Sequence, residues 1–202
     1  WIDAEPGLRE ALGMRLERYI VADDVELTDV TEDFLLWHEF GPKAGGGVAS
    51  NRFAVEGSDH WLPAGESFLP SATILSAEDA ETWRIVKGVP RWPNELNAET
   101  FPPEAGLEAR AMDFAKGCYI GQEILSRIKT TGKMPRQLIS LDCDLSVQPG
   151  DELWLDKVVG KITSVAIHPV TKRPVALALV RQGTDVAGLR LGSADGPAIL
   201  RQ

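Results

Sequence analysis

Residues 121–145 read GQEILSRIKTTGKMPRQLISLDCDL, and the spacing of their apolar residues changes halfway along. In the first half, isoleucine and leucine recur at three- and four-residue intervals, which predicts an amphipathic helix that begins near Gly121. From 139 to 145, apolar residues alternate with polar ones, as in a half-buried β-strand. A helix followed directly by strands predicts a fold of the α+β class.

Further apolar runs follow at residues 153–155, 158–167 and 175–181, and turn signals such as Pro149-Gly150 separate them. Short strands at this spacing are typical of a small barrel or sandwich. We therefore expect residues 135–202 to form a separate C-terminal domain, a small antiparallel β-barrel.

The N-terminal half mixes helical and strand patterns. Leucines at helical spacing predict a helix over residues 7–20, and residues 25–27 and 34–38 read as two short strands joined by a turn. Residues 41–47 (GPKAGGG) are a plain glycine-rich loop, because the Lys-Ser or Lys-Thr ending of a phosphate-binding loop is missing. Short apolar pieces between residues 48 and 75 predict further strands.

A second lobe is expected to begin at Ser76. Ser76 precedes a helical pattern and Asp79 stands three residues later, which is a variant of the capping box, and the helix should stop at Gly88. These signals divide the chain into an α+β lobe over residues 1–75, a second α+β lobe over residues 76–134 and the β-domain.

Composition excludes several classes of function. The 202 residues carry a formal net charge of −9, so the overall field does not attract nucleic acid or anionic membranes. No apolar run is long enough to span a bilayer as a helix. The two cysteines, Cys118 and Cys143, share no zinc-ligand spacing with histidines, so we expect no metal site and a reducing, cytoplasmic setting.

Cys118 lies just before the predicted helix, between two glycines in the sequence Lys116-Gly117-Cys118-Tyr119-Ile120-Gly121-Gln122-Glu123. Unpaired backbone N–H groups at a helix N-terminus and the nearby ammonium of Lys116 both favour a thiolate, whereas Glu123 opposes it. From position alone, a reactive thiol and a small buried apolar side chain are both open for Cys118. Cys143 falls on the inward phase of a strand, which predicts a core residue.

The segment after Cys118 reverses the charge of the chain. No acidic residue occurs from Ile124 to Leu141, and the window contains the four cations Arg127, Lys129, Lys133 and Arg136. Such a window suits a phosphate, a polyglutamate tail or a nucleic-acid backbone. A solvated helix end, where Arg and Lys complement the helix dipole, explains two of the four equally well.

These motifs, in this order, resemble the YgfZ family of folate-binding proteins, which are relatives of the glycine cleavage T-protein. The sequence of residues 116–123 is similar to the family signature K-G-C-Y-x-G-Q-E at every defined position. Shorter similarities fall in residues 84–90, 103–107, 160–165 and 176–180. Family members extend further at the N-terminus, so we expect this chain to correspond to their last two thirds and its first lobe to be partial.

The resemblance implies ferredoxin-like, T-protein-like α+β lobes followed by the barrel, with tetrahydrofolate bound near the centre. It implies a cytoplasmic accessory role in iron–sulfur cluster assembly or repair and in tRNA modification, with a transiently bound iron–sulfur cluster and iron–sulfur enzymes that thiomethylate tRNA as partners. Cys118 is the expected catalytic residue. The expected folate-binding residues are Arg84, Lys116, Tyr119, Gln122, Arg127 and Lys129.

Two other functions stay open at this point. A folate-dependent aminomethyl or one-carbon transferase of the T-protein type would use the same pocket, but Val86 stands where T-proteins usually carry a glutamate that touches the pterin, and valine accepts no hydrogen bond. An RNA-binding module would use the barrel and the basic window. The net charge of −9 disfavours that function.

Overall fold

The computed structural model describes residues 1–41, 46–66 and 72–199, and it divides into two compact units, Trp1–Thr73 and Ile74–Gln202. Within the described ranges, no helix combines the length and the apolar character needed to cross a membrane. Residues 42–45 of the glycine-rich loop lie outside the described residues.

The first unit begins with a 3₁₀ turn at Pro6–Leu8 that leads into helix α1, Arg9–Glu17. The helix is shorter than the predicted span of residues 7–20. Every residue of α1 is at least partly exposed, so tertiary packing does little to hold a further turn.

The sheet of the first unit has three antiparallel strands, β1 (Phe34–Phe40), β2 (Val48–Ser50) and β3 (Gly57–Pro63), in the order β1-β3-β2. The predictions of a strand from residue 34 and of short strands after residue 48 are confirmed. The prediction of a strand at residues 25–27 is wrong. That segment is exposed on both sides, so no buried face stabilises an extended pairing.

The second unit opens with helix α2, Ala77–Val86. The Ser76 side chain accepts a hydrogen bond from the Asp79 N–H at 3.0 Å, and Gly88 follows with a positive φ of 68°, so both predicted ends are confirmed. A 3₁₀ turn at Pro102–Ala105 and helices α3 (Glu108–Ala111) and α4 (Gln122–Thr131) come next.

Five antiparallel strands complete the second unit, in the sheet order β4-β7-β6-β5-β8. Their bounds are β4 Arg136–Asp142, β5 Glu152–Trp154, β6 Val158–Ile167, β7 Pro174–Arg181 and β8 Arg190–Leu191. The mixture of helices and antiparallel sheets confirms the α+β class. In the described part of the chain, the edge strands β4 and β8 do not pair with each other.

Strand β7 lies at the centre of the core of this unit. Residues 175–180 are all buried, because helix α2 packs on one face of the sheet while the other face meets the cluster around Leu153 and Ile162. Cys143 belongs to the same core and is fully buried, as its position predicted. Burial raises the pKa of its thiol to about 11, so Cys143 is an apolar core residue at neutral pH.

Candidate functional site

Cys118 lies on the connection between α3 and α4, and its side chain is exposed. Gly121 caps α4 in the left-handed conformation, with φ of 83°. This conformation is easily adopted by glycine and costs other residues energy, so the glycine lets the chain turn directly from the cysteine segment into the helix. The thiol therefore belongs to the residue four positions before Gln122, the first residue of the helix, and it is open to solvent.

Three of the predicted site residues meet beside the thiol. The Tyr119 N–H donates to the Oε1 of Gln122 at 3.3 Å, and the Gln122 N–H donates to the carbonyl of Tyr119 at 3.2 Å. The Nζ of Lys116 lies 4.9 Å from the centre of the Tyr119 ring, within the range of a cation–π contact. Lys116, Tyr119 and Gln122 thus fix the shape of the loop that carries Cys118.

Helix α4 and the turn after it carry further cations. Arg127 and Lys133 are exposed, and the Nζ of Lys129 lies 3.7 Å from the centre of the Phe114 ring. Within the described residues, none of these three side chains forms an ion pair. The positive charge of this segment is therefore open to an anion from outside.

Arg136, the fourth cation of the acid-free window, does not contribute to that charge. Its Nε and Nη2 donate to the two carboxylate oxygens of Glu104, each at 3.1 Å, and the Glu104 side chain is fully buried. A carboxylate held by a fork of this kind cancels the guanidinium charge locally. From the sequence window alone, all four cations seemed available. Glu104, the partner of Arg136, lies 32 residues upstream and therefore outside that window.

Arg84 differs from the other predicted folate-binding residues because its hydrogen bonds are all made within the protein. Its guanidinium uses all five N–H donors, on Glu81, Glu95, Ser164 and the carbonyl of Val89. The side chain is only 5% exposed, and Glu95 is fully buried. No donor of Arg84 is left for a ligand, so its contacts serve to hold α2 against strand β6.

Sequence reasoning missed the acceptors of this network. Glu95 also accepts from the backbone N–H of Arg91 at 3.0 Å and from the hydroxyl of Ser164 at 2.6 Å. The guanidinium lowers the pKa of Glu81 below its ordinary value, first through the hydrogen bond from Arg84 and then through the charges of Arg84 and Arg91, although burial opposes this. Only the tertiary fold brings Ser164 to Arg84, 80 residues away in the chain.

A cleft of about 200 Å³ lies elsewhere in the second unit, between the end of α2 and the β4–β7 pair. Val86 lines it together with Ser140, Asp142 and His168. The His168 ring is fixed, because its Nδ1 accepts from two backbone N–H groups, of Val170 and Thr171, each at 3.2 Å. Ligand pockets usually measure roughly 300–1,000 Å³, so this cleft is too small to hold a whole folate.

The described residues contain no group of three or more His, Cys, Asp or Glu side chains placed to hold a metal ion. Iron–sulfur clusters are held by several cysteine thiolates. The described part of the chain, with Cys118 as its exposed thiol, therefore supplies at most one thiolate of the set that a cluster requires.

No protein-family model matches the chain. It is 31% identical over 133 residues to an aminomethyltransferase of Thermoanaerobacter pseudethanolicus, a match of 64% of this chain and 35% of the relative. It is 30% identical over 151 residues to an aminomethyltransferase of Corynebacterium aurimucosum, covering 73% of this chain and 39% of the relative.

A third relative has a different name. The chain is 30% identical over 149 residues to a mitochondrial iron–sulfur cluster assembly factor, an IBA57 homologue of Cryptococcus neoformans, covering 64% of this chain and 40% of the relative. The chain thus spans between a third and two fifths of the length of these relatives. The similarities show that it is related to aminomethyltransferases and to assembly factors of the IBA57 type.

Proposed function

We propose that this protein is a tetrahydrofolate-binding accessory protein of iron–sulfur cluster assembly or repair, and that it acts through Cys118. The observation that carries the proposal is the exposed thiol of Cys118, two residues after Lys116 on the loop that leads into α4. Relatedness to aminomethyltransferases supports the binding of folate. Relatedness to an iron–sulfur cluster assembly factor supports the role in cluster assembly.

Cys118 is accessible to a group presented from outside. The thiolate is the form of cysteine that attacks a one-carbon unit or ligates iron. A single thiolate completes no cluster, so the remaining ligands come from a partner that delivers or receives it. One-carbon transfer and cluster ligation both require that the sulfur of Cys118 is accessible from outside.

The folate is assigned to Lys116, two residues before Cys118, and to the cations of α4. Arg127 and Lys129 suit the carboxylates of the folate tail, because each lacks a carboxylate partner within the described residues. Lys116, Tyr119 and Gln122 supply an ammonium, a half-buried ring and an amide beside the thiol. Tetrahydrofolate supplies a carrier for one-carbon units when bound. Arg84 is omitted from this set, because its donors are already used.

Finer parts of the proposal follow from the resemblance to the YgfZ family. In that arrangement, residues 1–75 and 76–134 are T-protein-like lobes, the first of them partial, and residues 135–202 correspond to a small antiparallel β-barrel. The partners are iron–sulfur enzymes that thiomethylate tRNA, and the setting is the cytoplasm.

Replacement of the thiol tests the proposal. We expect Cys118→Ala to leave the fold and the tetrahydrofolate affinity nearly unchanged, because the side chain is exposed, but to fail to restore tRNA thiomethylation in a deletion strain. Cys143→Ala is the matched control: it removes the other, buried cysteine and should restore thiomethylation. Full restoration by Cys118→Ala would contradict a role for the thiol, and absence of tetrahydrofolate binding to the full chain would contradict the folate.

The names of the relatives favour a second function, a folate-dependent aminomethyl or one-carbon transferase. An assay of tetrahydrofolate-dependent ammonia release from an aminomethyl carrier separates it from the first, since only a transferase turns over. Val86, which lines the small cleft, accepts no hydrogen bond from a pterin and so weighs against this function.

A third function, RNA binding through the basic window, has less support than the sequence suggested. Arg136 is neutralised by Glu104, which leaves fewer free cations for phosphates. Steep salt dependence of tRNA binding that is lost on removal of Arg127 and Lys133 would favour this function.

A further inference from the structure

The small cleft at the end of α2 combines buried apolar residues with polar residues at its edge. Its apolar lining residues that are at most 5% exposed are Ile85, Leu141, Val175 and Ala176. Its polar lining residues are Ser140 and Asp142, which are exposed on β4, and His168, which is half-buried just after β6. An apolar recess with a few polar groups is the usual form of a small-molecule site.

The volume of the cleft suits a small ligand. An apolar protein cavity of about 150 Å³ is able to hold benzene. A cleft of about 200 Å³ therefore has room for roughly six to eight non-hydrogen atoms. The described residues that line it do not include any of residues 116–123, so it is separate from the loop of Cys118.

Asp142 carries the charge of this cleft. Among the described lining residues it is the one with a charged side chain, and it forms no ion pair with a described residue. The nearby cation Arg173 is already paired with Asp144. Other surface carboxylates also lack an ion pair, but they do not line this recess. The lining therefore favours a ligand with a positively charged group.

The end of α2 adds to the negative potential. Val86 is the last residue of α2 and lines the cleft. A helical carbonyl normally accepts from the N–H four residues later, but that residue is Pro90, which has no N–H. The last carbonyls of a helix carry partial negative charge, so this end of α2 also favours a cation.

His168 and Ser140 supply neutral polar groups. The Nδ1 of His168 accepts from two backbone N–H groups, so the proton of the neutral ring lies on Nε2, which is able to donate. The hydroxyl of Ser140 lies beside the turn after α2, because a Cβ atom added to Gly88 would come within 3.2 Å of its Oγ. A hydroxyl donates or accepts. Both groups suit an uncharged oxygen of a ligand.

We propose that the cleft binds a small aliphatic amino alcohol, with its ammonium on Asp142, its hydroxyl on His168 and Ser140, and its aliphatic part on the buried apolar residues. An amino acid of similar size presents a carboxylate, for which the described lining residues supply no cation. A simple alcohol leaves the charge of Asp142 without a partner. The proposal depends neither on the role of Cys118 nor on folate.

An NMR titration of the isotope-labelled full chain with valinol tests the proposal. We expect a dissociation constant of about 1 mM or lower. The amide signals of Leu141, Val175 and Ala176 should shift, and those of residues 116–123 should not. The control ligands are valine, which has a carboxylate, and isoamyl alcohol, which has no ammonium. Each should bind about tenfold or more weakly than valinol, because each lacks part of the complementarity.

Variants of the chain locate the ammonium and the cleft. Asp142→Asn should weaken valinol about tenfold and leave isoamyl alcohol within about twofold, because the alcohol does not use the charge. Asp156→Asn is the matched control: it removes a carboxylate from an exposed turn that does not line the cleft, and it should bind as the parent chain does. Val86→Phe should weaken both ligands, because the larger ring takes up space in the cleft.

Several outcomes would overturn the proposal. They are no shift at the cleft with valinol at about 10 mM, valine binding as tightly as valinol, or equal losses in Asp142→Asn and Asp156→Asn. Displacement of valinol by tetrahydrofolate would show instead that the cleft is part of a folate site. Cys118→Ala should bind valinol as the parent chain does, so a failure of this proposal and a failure of the thiol proposal give different results.

Discussion

Arg84 and Glu95 form a buried ion pair, and neighbouring groups supply hydrogen-bond partners for the polar atoms of both side chains. The Nη1 of Arg84 donates to Glu95 at 3.0 Å, and the side chains are 5% and 0% exposed. Burying two charges costs several kcal/mol, and only good geometry and further hydrogen bonds compensate for it. Removal of one partner therefore does more damage than removal of both charges.

We predict that Arg84→Met lowers the free energy of unfolding by about 3–5 kcal/mol, because Glu95 is then left buried without its cation. The double variant Arg84→Met with Glu95→Gln should recover most of that loss, since the amide carries no charge. Urea unfolding followed by tryptophan fluorescence measures both. A double variant no more stable than Arg84→Met would contradict a penalty from the unpaired charge.

At the scale of elements, the start of α4 decides where the cysteine loop ends. Gly121 has φ of 83°, and a Cβ atom added to it would have no other atom within 4 Å. Substitution at this position is therefore limited by the backbone conformation and not by lack of space. A non-glycine residue in the left-handed conformation costs roughly 1–2 kcal/mol. Gly117, in the same loop, has no positive φ and equally open surroundings.

We predict that Gly121→Ala frays the first turn of α4, whereas Gly117→Ala does not. The reporter is the Leu125 N–H, which donates to the carbonyl of Gly121 at 3.2 Å. Its protection against hydrogen exchange should fall about 5- to 30-fold in Gly121→Ala, which corresponds to roughly 1–2 kcal/mol, and should stay within about twofold in Gly117→Ala. Equal effects of the two substitutions would show that the backbone conformation is not what matters.

At the scale of the whole molecule, the features that the sequence predicted are those with local causes. The Ser76 cap, the start of α4 and the long strands β6 and β7 each follow from residues a few positions apart. The wrong strand at residues 25–27 has a local pattern but lacks a partner to bury it. The role of Arg84 was not predictable, because it depends on Ser164 and Glu95, which only the tertiary fold brings near.

The same distinction applies to the candidate site. The sequence predicts a site at Cys118 and its neighbours because the motif is continuous, and the structure leaves the thiol exposed, as that prediction requires. It overestimated the basic window because the partner of Arg136 is distant in the chain. It gave no sign of the cleft around His168, whose walls come from one helix, two strands and a turn.

Acid should destabilise both units, because each unit contains a carboxyl group whose pKa is lowered in the folded state. In the second unit, the hydrogen bond from Arg84 is the main cause that lowers the pKa of Glu81 below its ordinary value of 4.5. In the first unit, burial alone would raise the pKa of Asp59, but hydrogen bonds from Arg52 and His38 and the charge of Arg52 hold it below 3.8. Each carboxyl binds a proton more weakly when folded, so each stabilises the folded state above its ordinary pKa and loses that contribution as the pH falls below it.

Net charge acts in the opposite direction over a different range of pH. Acidification from pH 7 towards the isoelectric point of about 4.9 reduces the self-repulsion of a chain at −9. At about 0.15 M salt, exposed charges are screened beyond about 8 Å, so this gain is small. We therefore predict an unfolding free energy that is nearly constant between pH 8 and pH 5 and that falls steeply below about pH 4.5.

Urea unfolding at a series of pH values tests this prediction, and Glu81→Gln provides its control. Glutamine at position 81 carries no charge to pair with Arg84, so the second unit should be less stable at neutral pH. It also has no carboxyl to protonate, so the stability of that unit should depend less on pH below 4.5. An unfolding free energy that rises on acidification through pH 4, or a Glu81→Gln variant with the pH dependence of the parent, would show that the ion pair with Arg84 does not control acid stability.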